Sequence, residues 1–125
     1  MFENSVATEI IGAAIEVHKV LGPGLLESAY QECLLIELGQ RGFEAESEVP
    51  VVVNYKGHIL ENAYGADLLV NHAVIVEVKT VEQVKLVHKA QLLTYLRLTG
   101  KRLGLLLNFH VPVMKNGIYR IANQL

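Results

Sequence analysis

The stretch that decides the fold is Tyr64–Thr80, YGADLLVNHAVIVEVKT. Two apolar runs, Ala66–Val70 and Val74–Lys79, flank Asn71-His72 and read as paired strands. The first run carries an acid, Asp67. The second ends on another, Glu77, with an ammonium two positions on at Lys79. Charges in such company are costly, because an ion taken out of water without a partner costs on the order of several kcal/mol.

Strand geometry sharpens this reading. Glu77 and Lys79 share one face with Ile75 behind them, while Val74, Val76 and Val78 line the other. One face is therefore apolar throughout, and the opposite face becomes charged only at its end. A two-residue turn at Asn71-His72 would pair Asp67 with Val76 and turn it away from Glu77. A three-residue loop, Asn71 to Ala73, pairs Val70 with Val74 and Asp67 with Glu77, so an odd loop or a bulge is expected. Two adjacent carboxylates repel, and a hard divalent cation relieves the repulsion. Its expected ligands are Asp67, Glu77 and the backbone carbonyl of Val78. Such a cation polarises a phosphate oxygen and acidifies a bound water. Lys79 stands where it can orient that water or offset charge on the phosphate. Taken alone, the acids would be better read as a capped turn and an exposed strand end; the surrounding motifs favour the metal site.

Upstream, Ser5–Val20 is expected to be helical, with Val6, Ile10, Ala13, Ala14 and Val17 at helical spacing. Leu21-Gly22-Pro23-Gly24 breaks the chain, and Leu25–Gln40 is a second helix. Val49–Tyr55 is a strand that turns at Lys56-Gly57 into His58-Ile59-Leu60, and Pro50 assigns it to an edge. The alternating Glu44, Glu46 and Glu48 suggest one wet face. Downstream, Glu82–Thr99 is expected to be a helix with Val84, Val87, Ala90, Leu92 (or Gln91), Tyr95 and Leu98 near one broad side. Leu103–Phe109 is a buried strand, and after a turn at Asn116-Gly117, Ile118–Ile121 is a last short one. The fold class is α/β, a mixed sheet with helices.

The 125 residues suit one domain, residues 1–125, and half of them are apolar. A net charge of −2 argues against binding nucleic acid by bulk charge, yet the charge is unevenly placed. Every acid except Glu82 precedes Lys79, and all Lys and Arg except Lys19, Arg41 and Lys56 lie from Lys79 onward. The later part could therefore contact phosphates, or simply be a solvated face. The single cysteine, Cys33, excludes an intrachain disulfide and reads as helix filler. No leader-like or membrane-spanning run is visible, so a cytoplasmic protein with no membrane partner is expected. The five histidines show no ligand spacing and read as surface or packing residues.

Two helical pieces can complete a site. Gly24, Glu27 and Tyr30 are three apart, and Gln91 and Tyr95 four apart, so each set lies along one helix side. These residues, with Asp67 and Glu77-Val78-Lys79, resemble the GxxExxY proteins of the PD-(D/E)XK nuclease superfamily, near its RecB-like branch. Gln91-Leu92-Leu93-Thr94-Tyr95 matches the Q-x-x-x-Y of that branch, and the likeness runs from Ile10 to Ile121. Gly65-Ala66 stands where the superfamily name would place proline. The resemblance implies a restriction-endonuclease-like αβββαβ core with an extra N-terminal helix, and Mg²⁺-dependent (or Mn²⁺-dependent) cleavage of nucleic acid, DNA ahead of RNA. Asp67 and Glu77 would hold the metal and Glu27 would reach it through a water. Lys79, Gln91 and Tyr95 would complete the catalytic set, and Tyr30, Lys85 and Lys89 would contact substrate. A chain this short leaves nothing for a separate DNA-binding domain, so a homodimer or partner protein is expected to supply further surface. The rival expectation is a scaffold that keeps the fold and does not cut.

Overall fold

The computed structural model describes residues 2–125. Two helices come first, α1 (Phe2–Leu21) and α2 (Glu27–Gln40), then β1 (Ala45–Tyr55), β2 (His58–Val70) and β3 (Val74–Lys79). Helix α3 (Leu86–Thr99) leads to β4 (Leu103–Asn108), a short 3-10 helix (Met114–Gly117) and β5 (Ile118–Ala122). The five strands lie side by side in chain order. All neighbours are antiparallel except β3 and β4, which α3 connects as a crossover. From α2 to β4 this is the αβββαβ core, with α1 in front and β5 behind.

The sheet divides the apolar residues into two layers. The α1 stripe Val6, Ile10, Ala13, Ala14 and Val17 packs with Leu34 and Leu38 of α2 against one face, which presents Leu68, Val74, Val76 and Leu105. Leu92, Tyr95 and Leu96 of α3 pack on the opposite face against Ile75 and Leu106. Strand β3 is buried on both faces up to Val78, as its unbroken Val/Ile run requires. Strand β1 is an edge, so Pro50 costs no internal ladder bond.

Several boundaries differ from the sequence reading. The runs at His58–Leu60 and Ala66–Val70 belong to one continuous strand, β2. Helix α3 starts at Leu86 rather than Glu82, because the preceding segment is held elsewhere. The Asn108 side chain accepts from Val81 N at 3.0 Å and donates to Val81 O at 2.9 Å. His88 Nδ1 then accepts from Lys85 N at 3.0 Å and caps the helix start. The inward face of α3 is Leu92, Tyr95 and Leu96, whereas Val87, Ala90 and Leu98 are exposed.

Asn108 also explains a glycine. A Cβ on Gly117 would collide with the backbone oxygen of Asn108. Gly117→Ala is therefore expected to cost ~1–3 kcal/mol and to lower Tm visibly in thermal denaturation. Gly39→Ala, at a helical position with open space around it, should leave Tm unchanged or raise it.

Candidate active site

The loop between β2 and β3 has three residues, and Val70 pairs with Val74, Leu69 with Ile75, and Leu68 with Val76. Asn71 and His72 adopt left-handed conformations (φ 51° and 56°) that close it. The next pair in this register is Asp67 with Glu77, where the backbone ladder gives way to side chains. Asp67 N donates to Glu77 Oε1 at 3.1 Å, and Val78 N donates to Asp67 Oδ2 at 2.8 Å. The two acids thus sit at a fork between the strands, each held by the other strand's backbone. In an extended residue N–H and C=O point the same way, so the Val78 carbonyl also faces Asp67.

The fork has a structural cause that the alternation of side chains hides. On β1, Ala45 packs in the α1/α2 layer, but Val49 and Val51 belong to the α3 layer. On β2, Leu68 and Val70 belong to the α1/α2 layer and Ala66 to the α3 layer. Both strands therefore exchange faces between these positions, at Glu48 on one and Asp67 on the other. Glu48 carries a positive φ of 52°, a conformation costing a non-glycine residue ~1–3 kcal/mol. Its place in the register lies opposite Asp67. The exchange frees the Asp67 carboxylate from both faces and directs it along the sheet to β3.

Gln31 of α2 ties this crossing together. Its Nε2 donates to Glu48 Oε1 at 2.7 Å and to the Asp67 carbonyl at 3.1 Å. Neither Gln31 nor Glu48 was marked by the sequence. Glu48 looked like one of three alternating wet acids; Glu44 and Glu46 do behave so, each 3.2 Å from the exposed His72. Outer partners of metal ligands typically matter by 10–100-fold in metal affinity. Gln31→Leu is accordingly expected to weaken Mn²⁺ binding about tenfold in a calorimetric titration, with little change in secondary structure.

The electrostatics follow from burial. Glu77 is only 6% exposed. Desolvation, followed by the neighbouring Asp67 charge, pushes its carboxyl up to about 8. Asp67 is also raised, chiefly by burial; the Val78 N–H opposes this, and the charges of Glu48 and Glu27 add to it. The charge of Lys79, two residues beyond Glu77 on β3, lowers both acids. Tyr95, buried on α3, is raised by burial and then by the charges of Glu77, Tyr64 and Asp67. Its ring meets Tyr64 at 6.1 Å between centroids.

Other expected residues take different places. Glu27, at the first turn of α2, accepts from Thr80 N at 3.2 Å, which brings it to the end of β3. Tyr30 is a correction, since it is fully buried and stacked on Phe109 at 4.5 Å. Its hydroxyl donates to Gly22 O at 2.5 Å and accepts from Leu25 N at 3.1 Å. That leaves it no free atom for substrate, and it instead fixes the loop that delivers Glu27. Lys89 is committed as well, with its ammonium 4.5 Å from the Tyr119 ring on β5. Lys85 is exposed beside the start of α3. Gln91 is exposed on the same helix and makes no side-chain hydrogen bond among the described residues.

Comparison with known proteins bears on this geometry. The family model of the PD-(D/E)XK nuclease superfamily matches residues 4–121. The chain belongs to that superfamily. The crystal structure of SSO0001 matches with a TM-score of 0.51 and 19% identity, over 96% of this chain and 79% of that chain. At that identity the likeness shows the fold alone. No curated protein matches in sequence.

PD-(D/E)XK nucleases generally use divalent metals. Among the described residues, no group of three or more His, Cys, Asp or Glu is gathered to hold one. The side chains that could hold a metal ion here are two, Asp67 and Glu77, with the Val78 carbonyl on the same side of β3. Two carboxylates and a carbonyl are hard oxygen donors, and Mg²⁺ is typically held by one or two carboxylates while keeping several waters. A cation there would offset the burial, and the neighbouring negative charges, that raise both carboxyls. The donor set fits Mg²⁺ or Mn²⁺.

Proposed function

We propose that this chain is a Mg²⁺- or Mn²⁺-dependent nuclease that hydrolyses phosphodiester bonds in DNA, in repair or processing. The observation that carries this reading is the pair of carboxylates, half-buried Asp67 and buried Glu77, interlocked across the strand fork, with Lys79 two residues further along β3. A divalent ion held there would polarise the phosphodiester and acidify a water. Asp67 and Glu77 would present the oxygens that bind it, and Glu27 would reach it through a water. Lys79 orients the attacking water and offsets charge growing on the phosphate. The water oxygen forms a new bond to phosphorus and gives up a proton to solvent, while the bond from phosphorus to the sugar oxygen breaks and that oxygen takes up a proton from solvent. Tyr95 and Gln91 line the α3 side of the approach, and Lys85 contacts the backbone of the substrate.

We assign the whole chain to one nuclease-like domain and place it among the GxxExxY proteins near the RecB-like branch. Three features of the fold support this placement. Gly24 holds a positive φ of 107°, Glu27 reaches the end of β3, and Tyr30 locks the intervening loop. The half-buried Cys33 needs no oxidising compartment, which suits the cytoplasm. No helix among the described residues is long and apolar enough to cross a membrane. A second copy or a partner protein supplies further surface for DNA.

The test is incubation with labelled single-stranded, duplex and branched DNA in Mn²⁺, beside Glu77→Ala and Lys79→Ala. Cleavage that disappears in both variants supports the reading. Binding without cleavage under several metals would establish the scaffold instead.

A further inference from the structure

Beyond the fork, β3 loses β2 as its neighbour. N–H groups two residues apart on a strand point to the same edge. On the vacated edge Val78 N donates to Asp67 Oδ2 at 2.8 Å, and Thr80 N donates to Glu27 Oε2 at 3.2 Å. The end of β3 is therefore held on that side by carboxylates, the acids proposed to serve a cation. A cation draws the same oxygens away from the backbone N–H groups. Lys79 lies between these two contacts, at the last position of its strand, where local opening costs least.

The β4 edge supplies the opposing grip. The parallel register ends with Lys79 opposite Asn108, and Phe109 N donates to Lys79 O at 2.9 Å. From there the Asn108 side chain continues the ladder. Its amide oxygen accepts from Val81 N at 3.0 Å, and its amide nitrogen donates to Val81 O at 2.9 Å. The oxygen also accepts from His110 N at 3.3 Å. Asn108 is only 3% exposed, so water does not compete for these bonds. Asn carries a donor and an acceptor side by side on a short stem, as a peptide group does. An ionised Asp offers acceptors only, and Gln sets the amide one methylene further out. The grip is also uncharged, so it adds nothing to the repulsion among the acids and does not compete for a cation.

We propose that Asn108 is a positioning residue of the nuclease site: by clamping Val81 it holds Lys79, and the Thr80 N–H that seats Glu27, in the geometry that cleavage requires. The inference rests on the nuclease reading and adds a residue that touches neither metal nor substrate. Its test is the kinetics of Mn²⁺-dependent cleavage of labelled DNA by the full chain. The variants are Asn108→Asp, Asn108→Ala, Glu27→Ala, and Asn108→Ala combined with Glu27→Ala. Asn108→Asp keeps the size and the accepted bonds and loses the donor; Asn108→Ala loses all three bonds. Rates are read at a temperature at which circular dichroism shows the wild type fully folded.

The expected result is a fall in kcat of about tenfold in Asn108→Asp and toward about 100-fold in Asn108→Ala, the range for a partner that acts through a site residue. KM for DNA and the calorimetric Mn²⁺ affinity should stay within about twofold of the wild type, because Asp67 and Glu77 are untouched. The double variant should be no more than about twofold slower than the slower single one, because a Glu27 that is no longer seated has little left to lose. Unchanged kcat in both Asn108 variants, with cleavage that still needs Glu77, would overturn the assignment and leave the nuclease reading intact. So would losses that multiply fully in the double variant, or a raised KM with kcat unchanged. Asn108 variants that are unfolded at the assay temperature would make the residue merely structural and overturn it too. A wild type that does not cleave, or cleavage that survives Glu77→Ala, would refute the nuclease reading itself and this assignment with it.

Discussion

Glu77→Ala is expected to lower Mn²⁺-dependent DNA cleavage by about 10²–10³-fold, the usual worth of one preorganised electrostatic element. The substitution removes one of the two proposed side-chain ligands and leaves Asp67 alone at the fork. It should not damage the fold. Glu77 is a buried acid held beside another, and its charge opposes folding. At alkaline pH without metal, Glu77→Gln should therefore be at least as stable as the wild type by thermal denaturation. Loss of rate with retained Tm is the combined signature. Loss of both would mean that Glu77 is structural, and unchanged cleavage would place the chemistry elsewhere. Lys79→Ala should reduce the rate while leaving metal affinity close to the wild type, because the proposed role of Lys79 is on substrate and water and not on the ion.

The second large effect is on stability against pH. The Glu77 carboxyl has an ordinary value of 4.5 and is raised to about 8 in the folded chain. Between those values the folded state holds a proton that the unfolded state has released. Unfolding therefore releases protons, and stability falls as pH rises through this window. Below it the group is protonated in both states and costs nothing; above it the full penalty of a buried charge is present. Asp67 is raised as well and adds to the same trend. A divalent cation replaces the proton as the partner of the charge. Excess Mg²⁺ or Mn²⁺ should then raise Tm more near pH 8 than near pH 5, as measured by circular dichroism. In Asp67→Asn the metal-free decline should become shallower and the metal effect should shrink. A Tm that climbs with pH in the absence of metal would contradict this electrostatic account.

Much of the architecture could be read from the chain because periodicity and pairing arithmetic constrain it strongly. The argument that Asp67 could meet Glu77 only across a three-residue loop needed nothing beyond strand alternation, and the loop is there. The Lys56-Gly57 turn and the edge position of Pro50 were equally visible. The face exchange at Glu48 and Asp67 was not. Ala45, Val49 and Val51 keep apolar residues at odd positions on both sides of the exchange, so the pattern shows no break although the faces swap. Gln31 was hidden for a related reason: a polar residue on a surface helix carries no local sign that its amide reaches two strands.

Tyr30 shows the opposite error. A motif marks a residue as indispensable without saying whether it touches substrate or supports a loop, and only its burial against Phe109 decides. The late start of α3 depends on the Asn108 clamp on Val81, a contact between residues far apart in the chain.

The central claim is that Asp67 and Glu77 converge on one divalent cation. Isothermal titration of Mn²⁺ into the wild type, Asp67→Asn and Glu77→Gln tests it most directly. The account predicts one dominant site in the wild type, uptake coupled to proton release near neutral pH, and loss of that site in either variant. Wild-type binding that both variants retain, or no binding by the wild type at all, would contradict it.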